Sequence, residues 1–119
     1  LSYVEARNAV VAADHAFEAR LDGLRALCVN STVFASAALE AVWDPSRHDL
    51  MMIYARRRDG TWRVALFTAK PGVDVSRVAA HFGGGGHRSA AGFSARSVGV
   101  RGGSITIGRK ARGGGPHGG

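Results

Sequence analysis

Within Val78–Phe93, read VAAHFGGGGHRSAAGF, four consecutive glycines, Gly83, Gly84, Gly85 and Gly86, separate an apolar segment from His87 and Arg88. Consecutive backbone N–H groups converging on one point hold phosphate oxygens well, and glycine alone reaches the required φ/ψ values cheaply. His87 adds a hydrogen-bond donor and Arg88 a charge-assisted one. A helix starting beyond the loop would add further N–H donors and the positive end of its dipole. The stretch lacks the Lys-Ser/Thr that follows the glycines of a nucleoside triphosphatase loop. It also lacks the third glycine, and the preceding strand, of a dinucleotide fingerprint. Two readings stay open: an anion cradle, and a mobile linker like the glycine-rich C-terminus. Apolar neighbours on both sides, Val78, Ala79 and Phe82 before and Ala90, Ala91 and Phe93 after, favour the cradle.

The remaining chemistry-bearing residues are scattered. A two-metal hydrolytic site needs convergent carboxylates and imidazoles holding ions about 3.5–4 Å apart. The five histidines are His15, His48, His81, His87 and His117, and only Asp14-His15 and His48-Asp49 put an acid next to one. The first is expected on a solvated helix face and the second in a loop, so no catalytic or metal-binding residue is expected in this chain. His81, on the outer side of its helix, faces either substrate or water. Cys28 sits in the apolar run Leu24 to Val29 and reads as a small core residue rather than a nucleophile. Arg56, Arg57, Arg58 and Arg63 either contact phosphates or decorate an exposed hairpin tip.

The elements that must position these residues follow from periodicity. Tyr3, Val10, Phe17, Leu21 and Leu24 recur at sevens, fours and threes, which predicts an amphipathic helix ended by Gly23. Leu24 to Val29 suits a buried strand. Asn30, Ser31 and Thr32 can cap a second helix carrying Phe34, Ala37, Ala38 and Ala41, stopped at Asp44-Pro45. Leu50 to Arg58 and Thr61 to Thr68 flank Asp59-Gly60, a tight-turn dipeptide, and predict a hairpin. Asp74 is a predicted N-cap for a short helix whose Val75, Val78, Ala79 and Phe82 share one face. Val98 to Val100 and Ser104 to Ile107 flank Gly102-Gly103 as a last strand pair. The expected fold class is α/β: a small domain with a mixed or antiparallel sheet packed against helices, preceded by a connector helix. The expected divisions are the connector helix over 1–23, the domain over 24–107 and a disordered glycine-rich basic tail over 108–119.

Composition sets the class of partner. The 119 residues are 45% hydrophobic and 21% charged, which suits one domain of a soluble protein. No run approaches the roughly 18 apolar residues of a membrane span, and no leader peptide is visible. No membrane partner and a cytoplasmic location are therefore expected. The net charge of +7 is uneven: residues 1–50 hold four arginines against seven acids, and residues 51–119 hold twelve Lys/Arg against two acids. The second segment invites an anionic polymer or a phosphate ester.

Asp74-Val75-Ser76, Val78-Ala79, Phe82 to His87 and the closing Ala90-Ala91-Gly92-Phe93 closely resemble the signature of the C-terminal DHH-associated domain of DHH-family phosphoesterases. Val29-Asn30-Ser31 with Ser36, and the hairpin GTWRVALFT, resemble that domain more loosely, so that the resemblance covers roughly residues 25–95. Ser36-Ala37 stands where family members often carry Ser-Glu, and Ala65 and Phe67 replace polar hairpin positions. The resemblance implies a substrate-binding domain in which Gly83, Gly84, Gly85, Gly86, His87 and Arg88 hold the phosphate of a nucleotide or short single-stranded nucleic acid. Hydrolysis of phosphodiesters or phosphomonoesters would belong to a separate lobe preceding Leu1, with Mn2+ (or Mg2+) bound there and no cofactor in this chain. The isolated chain is then expected to be inactive, and a homodimer formed through the full-length protein stays open. The alternative is a stand-alone basic nucleic-acid-binding module without catalysis.

Overall fold

The computed structural model describes residues 16–30, 39–40 and 42–109. Seven strands and one helix follow in the order β1 (Phe17–Leu21), β2 (Leu24–Asn30), β3 (Leu50–Arg56), β4 (Trp62–Phe67), α1 (Val75–His81), β5 (Gly85–His87), β6 (Ala90–Arg101) and β7 (Ser104–Arg109). The sheet order is β4-β3-β2-β1-β7-β6-β5, and β4 also pairs with β6. That last pairing closes six strands into a barrel, with β5 attached outside the ring. Pairing is antiparallel except between β2 and β3 and between β1 and β7. The β1–β7 seam is thin: one register pair, Arg20 with Ser104, and the bond from Arg20 N to Gly103 O at 2.8 Å.

The closed barrel corrects the expected α/β class, because the one complete described helix is only seven residues long and the sheet closes on itself. The first cause lies in β1. Phe17 and Leu21 fit a helical period of four, yet Phe17, Ala19 and Leu21 also alternate, and Asp22 and Gly23 take φ values of 54° and 81°. Two consecutive left-handed residues make the tight turn that joins antiparallel strands, so Phe17–Leu21 folds back on β2 rather than continuing as a helix. The connector helix expected over 1–23 otherwise lies outside the described residues, as do Phe34, Ala37, Ala38 and Ala41 of the second expected helix. The second cause is β6. Its twelve residues are rich in Ala, Gly and Ser, weak strand formers, yet both its edges are paired, by β4 and β5 in its first half. Gly108 and Arg109, assigned from sequence to the disordered tail, belong to β7, and 110–119 lie outside the described residues.

The hairpin and the capped helix form as expected. Asp59 Oδ1 accepts from Thr61 N at 2.9 Å, and Gly60 alone takes the left-handed φ, 90°. The turn is therefore the longer type with one left-handed glycine. Asp74 caps α1 through Ser76 N at 3.0 Å.

Alternation sorts the core. Ala26, Cys28, Leu50, Met52, Val64, Leu66, Phe93 and Ala95 point into the barrel, where α1 inserts Val75, Val78 and Ala79. Leu27, Val29, Met51 and Ile53 face outward and are covered by Leu39, Trp43 and Phe67. β2 and β3 are thus buried on both faces, which explains their unbroken apolar runs. Cys28 is fully buried as expected, and burial pushes its thiol pKa up to about 12. Among the described residues no helix is long and apolar enough to cross a membrane.

Polar ties hold the β2–β3 crossover. Asp49 accepts from Arg25 N at 2.8 Å, from the Arg25 guanidinium at 3.0 Å and from Lys70 Nζ at 2.9 Å. His48 is buried: its Nδ1 accepts from Asp44 N at 3.0 Å, which leaves Nε2 to donate to Glu18 Oε2 at 2.7 Å. The Arg25 guanidinium, then Lys70, hold the Asp49 carboxyl well below the ordinary range despite its partial burial. A depressed carboxyl stabilises the fold above the unfolded value, near pH 4, and that contribution is lost as pH falls below it. Asp49→Asn is expected to lower stability at pH 7 by about 1–3 kcal/mol. In urea titrations the gap between variant and wild type should shrink steadily from about pH 4 downward.

Candidate functional site

The glycines are first a packing device. α1 ends at Phe82, and Gly83, at φ 87°, turns the chain left-handed. Gly83 N donates to Ala80 O at 3.1 Å and Gly84 N to Ala79 O at 2.8 Å, the paired bonds of a Schellman helix end. These two N–H groups are therefore committed to the helix, and the loop begins at a helix C-terminus. No helix starts beyond it: Gly85, Gly86 and His87 form β5 against Gly92, Ala91 and Ala90. A Cβ on Gly84 would overlap Gly92 O and fall 2.6 Å from Phe93 Cβ, and one on Gly92 would fall 2.8 Å from Val64 O. Three backbones stack at this point because side chains are missing.

Beside this stack lies a cleft of about 1060 Å³, on the outer face of β4 and β6, bordered by the end of α1 and by the glycines. Its floor is small residues: Ala65, Gly84, Gly85, Gly86, Ala91 and Gly92. β5 pairs only with β6 among the described strands, so its other edge presents backbone polar groups beside the cleft. Arg57, Arg63 and Arg109 line the walls, and no described carboxylate does. Arg57 donates to Ser94 Oγ at 2.8 Å. Arg109 bonds to His81 O and lies 5.9 Å from the centroid of the Phe82 ring, which in turn stacks on Phe93 at 4.9 Å. Two guanidinium groups are thus oriented by the protein. The Arg63 guanidinium, unlike its ladder-paired backbone, has no hydrogen bond or ion pair with any described residue.

Of the residues singled out in sequence, Gly83 to Gly86 line the cleft. His87 and Arg88 do not. His87 ends β5 exposed, while Arg88 donates to Val73 O at 2.8 Å and Lys70 O at 3.1 Å, and its carbonyl accepts from Val75 N. Arg88 therefore fastens the start of α1. His81 lines the cleft with its Nδ1 2.7 Å from Asp22 Oδ2. Arg109 was hidden by its glycine-rich neighbours, although the alternation Ile105, Ile107, Arg109 was the available signal for a longer strand. The described residues hold no group of three His, Cys, Asp or Glu side chains able to bind a metal ion.

No family model matches the chain, and no curated protein matches it. Solved structures do. A pGpG-specific phosphodiesterase, PggH from Vibrio cholerae, superposes with a TM-score of 0.57 at 11% identity over 76% of this chain. An uncharacterized protein from Helicobacter pylori G27 superposes with a TM-score of 0.52 at 21% identity over 74% of this chain. The chain spans 32% and 24% of those two proteins. At these identities the likeness is one of fold: the barrel recurs as a part of larger proteins, one of them a phosphodiesterase.

The packing role and a binding role of the glycines separate by substitution. Gly84→Ala is expected to cost about 1–3 kcal/mol, since a backbone carbonyl must move. Gly85→Ala, with open space at its Cβ position and no left-handed φ, should stay within about 0.5 kcal/mol of wild type. Urea denaturation of both variants checks the difference.

Proposed function

We propose that this domain is the substrate-holding part of a DHH-family phosphoesterase. It binds the phosphate of a nucleotide or short single-stranded nucleic acid while a separate lobe hydrolyses the ester. The observation that carries the reading is the cleft: a floor of glycine and alanine beside three arginines, with no described carboxylate in its lining. The resemblance of Asp74–Phe93 to the DHH-associated signature and the fold shared with a phosphodiesterase support it. Phosphate oxygens would take charge-assisted bonds from Arg63 and Arg57, and the free edge of β5 would add backbone donors. His87, exposed at the end of that strand, would add a further donor to the phosphate. Mn2+ (or Mg2+) would supply its chemistry from that lobe, because the described residues here offer it no ligand set.

Calorimetric titration with a dinucleotide bearing a 5′-phosphate, and with the same dinucleotide lacking it, tests the proposal. The phosphorylated form should bind more tightly, and Arg63→Ser should weaken it by about 10–100-fold, the loss of a charge-assisted bond. Equal affinity for the two forms, falling steeply with salt, would identify a general nucleic-acid-binding module instead. With Mn2+ added, the isolated chain should show no turnover; turnover that disappears in His87→Ala would refute the division of labour.

A further inference from the structure

The β6–β7 hairpin leaves one sheet edge without a partner. β4 pairs with β6 only as far as Trp62 opposite Ala95, whereas β7 follows the other edge to Arg101. Over residues 96–101 the β4-side edge of β6 therefore has no strand beside it among the described residues. The turn fixes which groups that edge exposes. Gly102 and Gly103 take φ values of 58° and 77°, so the hairpin has a two-residue loop with both residues left-handed, and the flanking Arg101–Ser104 pair is hydrogen-bonded. Alternation then commits the backbone groups of Gly99 and Ser97 to β7 and turns the N–H and C=O of Val98 and Val100 to the open edge. The side chains of Val98 and Val100 share a face with Ile107 and Ile105, and Val100 is 49% exposed. Ser97, Gly99 and Arg101 share the opposite face. No Asp or Glu follows Asp74 in the chain, and the exposed guanidinium groups of Arg96 and Arg101 have no hydrogen bond or ion pair with any described residue.

We propose that this edge takes up an acidic, extended segment of a partner polypeptide as an added antiparallel strand. The unpaired N–H and C=O groups of Val98 and Val100 supply the backbone bonds, as at other sheet edges that accept a strand. The chemistry of the segment follows from the two faces of the hairpin. Apolar residues belong opposite Val98 and Val100, and carboxylates between them, on the face of Arg101. Arg96 closes the edge at its other end: it is the extra residue of a β-bulge between Ala95 and Ser97, and a bulge re-aims its side chain. A second copy of this chain suits the edge poorly, since it would bring Arg96 and Arg101 of both copies to one ladder without an acid between them. None of residues 96–101 lines the cleft, so this binding stands apart from the holding of a phosphate.

The test uses an end-blocked hexapeptide of alternating glutamate and valine in two isomers, one N-methylated on its glutamate amides and the other on its valine amides. In the added strand the valine amides face β6 and the glutamate amides face away. The glutamate-methylated isomer should therefore bind, and the valine-methylated one at least about tenfold more weakly, for the loss of two backbone hydrogen bonds. With the first isomer bound, amide exchange followed by NMR should slow at Val98 and Val100 by about tenfold or more. The double variant Arg96→Ser/Arg101→Ser should weaken that isomer by about 3–10-fold, as expected for two exposed ion pairs. Both arginines are exposed, so its thermal midpoint should stay that of wild type. Equal affinity for the two isomers overturns the proposal, because the hairpin would then attract any polyanion. Binding that leaves exchange at Val98 and Val100 unaltered, or that the double variant retains in full, overturns it as well. So does a concentration-dependent dimer that protects the same two amides without peptide, which would place a second copy on the edge.

Discussion

Backbone contact at Gly84, Gly92 and Val64 is the constraint on which the rest of the structure depends. Gly84 lies against Gly92 and Gly92 against the Val64 carbonyl, at separations that leave no room for a Cβ. Because they touch, α1 can end directly on β6 and β6 can close onto β4. That closure turns an open sheet into a barrel, and it brings Phe93 under Phe82 so that the two rings stack. The same missing side chains leave the floor of the cleft flat. Barrel closure and the flat floor of the cleft thus follow from one set of absent atoms.

Charge is divided between two regions. Around the β2–β3 crossover the cations are matched: Arg25 and Lys70 meet Asp49, and Arg47 and His48 meet Glu18. These groups fasten strands and leave little field outside. On the outer face of β4 and β6 the arginines meet a hydroxyl, a carbonyl and an aromatic face rather than carboxylates. Guanidinium groups placed this way keep their charge unneutralised by any described carboxylate in the lining. Three of the twelve basic residues of 51–119 thus line one cleft.

Local sequence carried the hairpin and the capped helix, because a turn glycine and an Asx cap act over a few residues. Phe17–Leu21 was ambiguous, since its apolar residues satisfy both a helical and a strand period. The deciding pair, Asp22-Gly23, carries the same turn dipeptide as Asp59-Gly60 but was read as a helix end. β6 was underestimated because Ala, Gly and Ser have little strand preference of their own; its length is imposed by partners on both edges. At the site the glycines stood out, whereas the loss of two of their N–H groups to the helix end, and the use of Arg88 as a fastening, did not.

What the sequence determined by itself is the local chemistry: the hairpin turn, the capped helix, and consecutive glycines beside basic residues in a positively charged segment. Tertiary structure alone decided which groups line the cleft. Arg57 lies in the β3–β4 turn, Arg63 in β4 and Arg109 in β7, and closure of the barrel through β4 and β6 brings Arg109 to the cleft that the other two line. Pairing between distant strands depends on backbone contact rather than on any local period, so no window of sequence contains it.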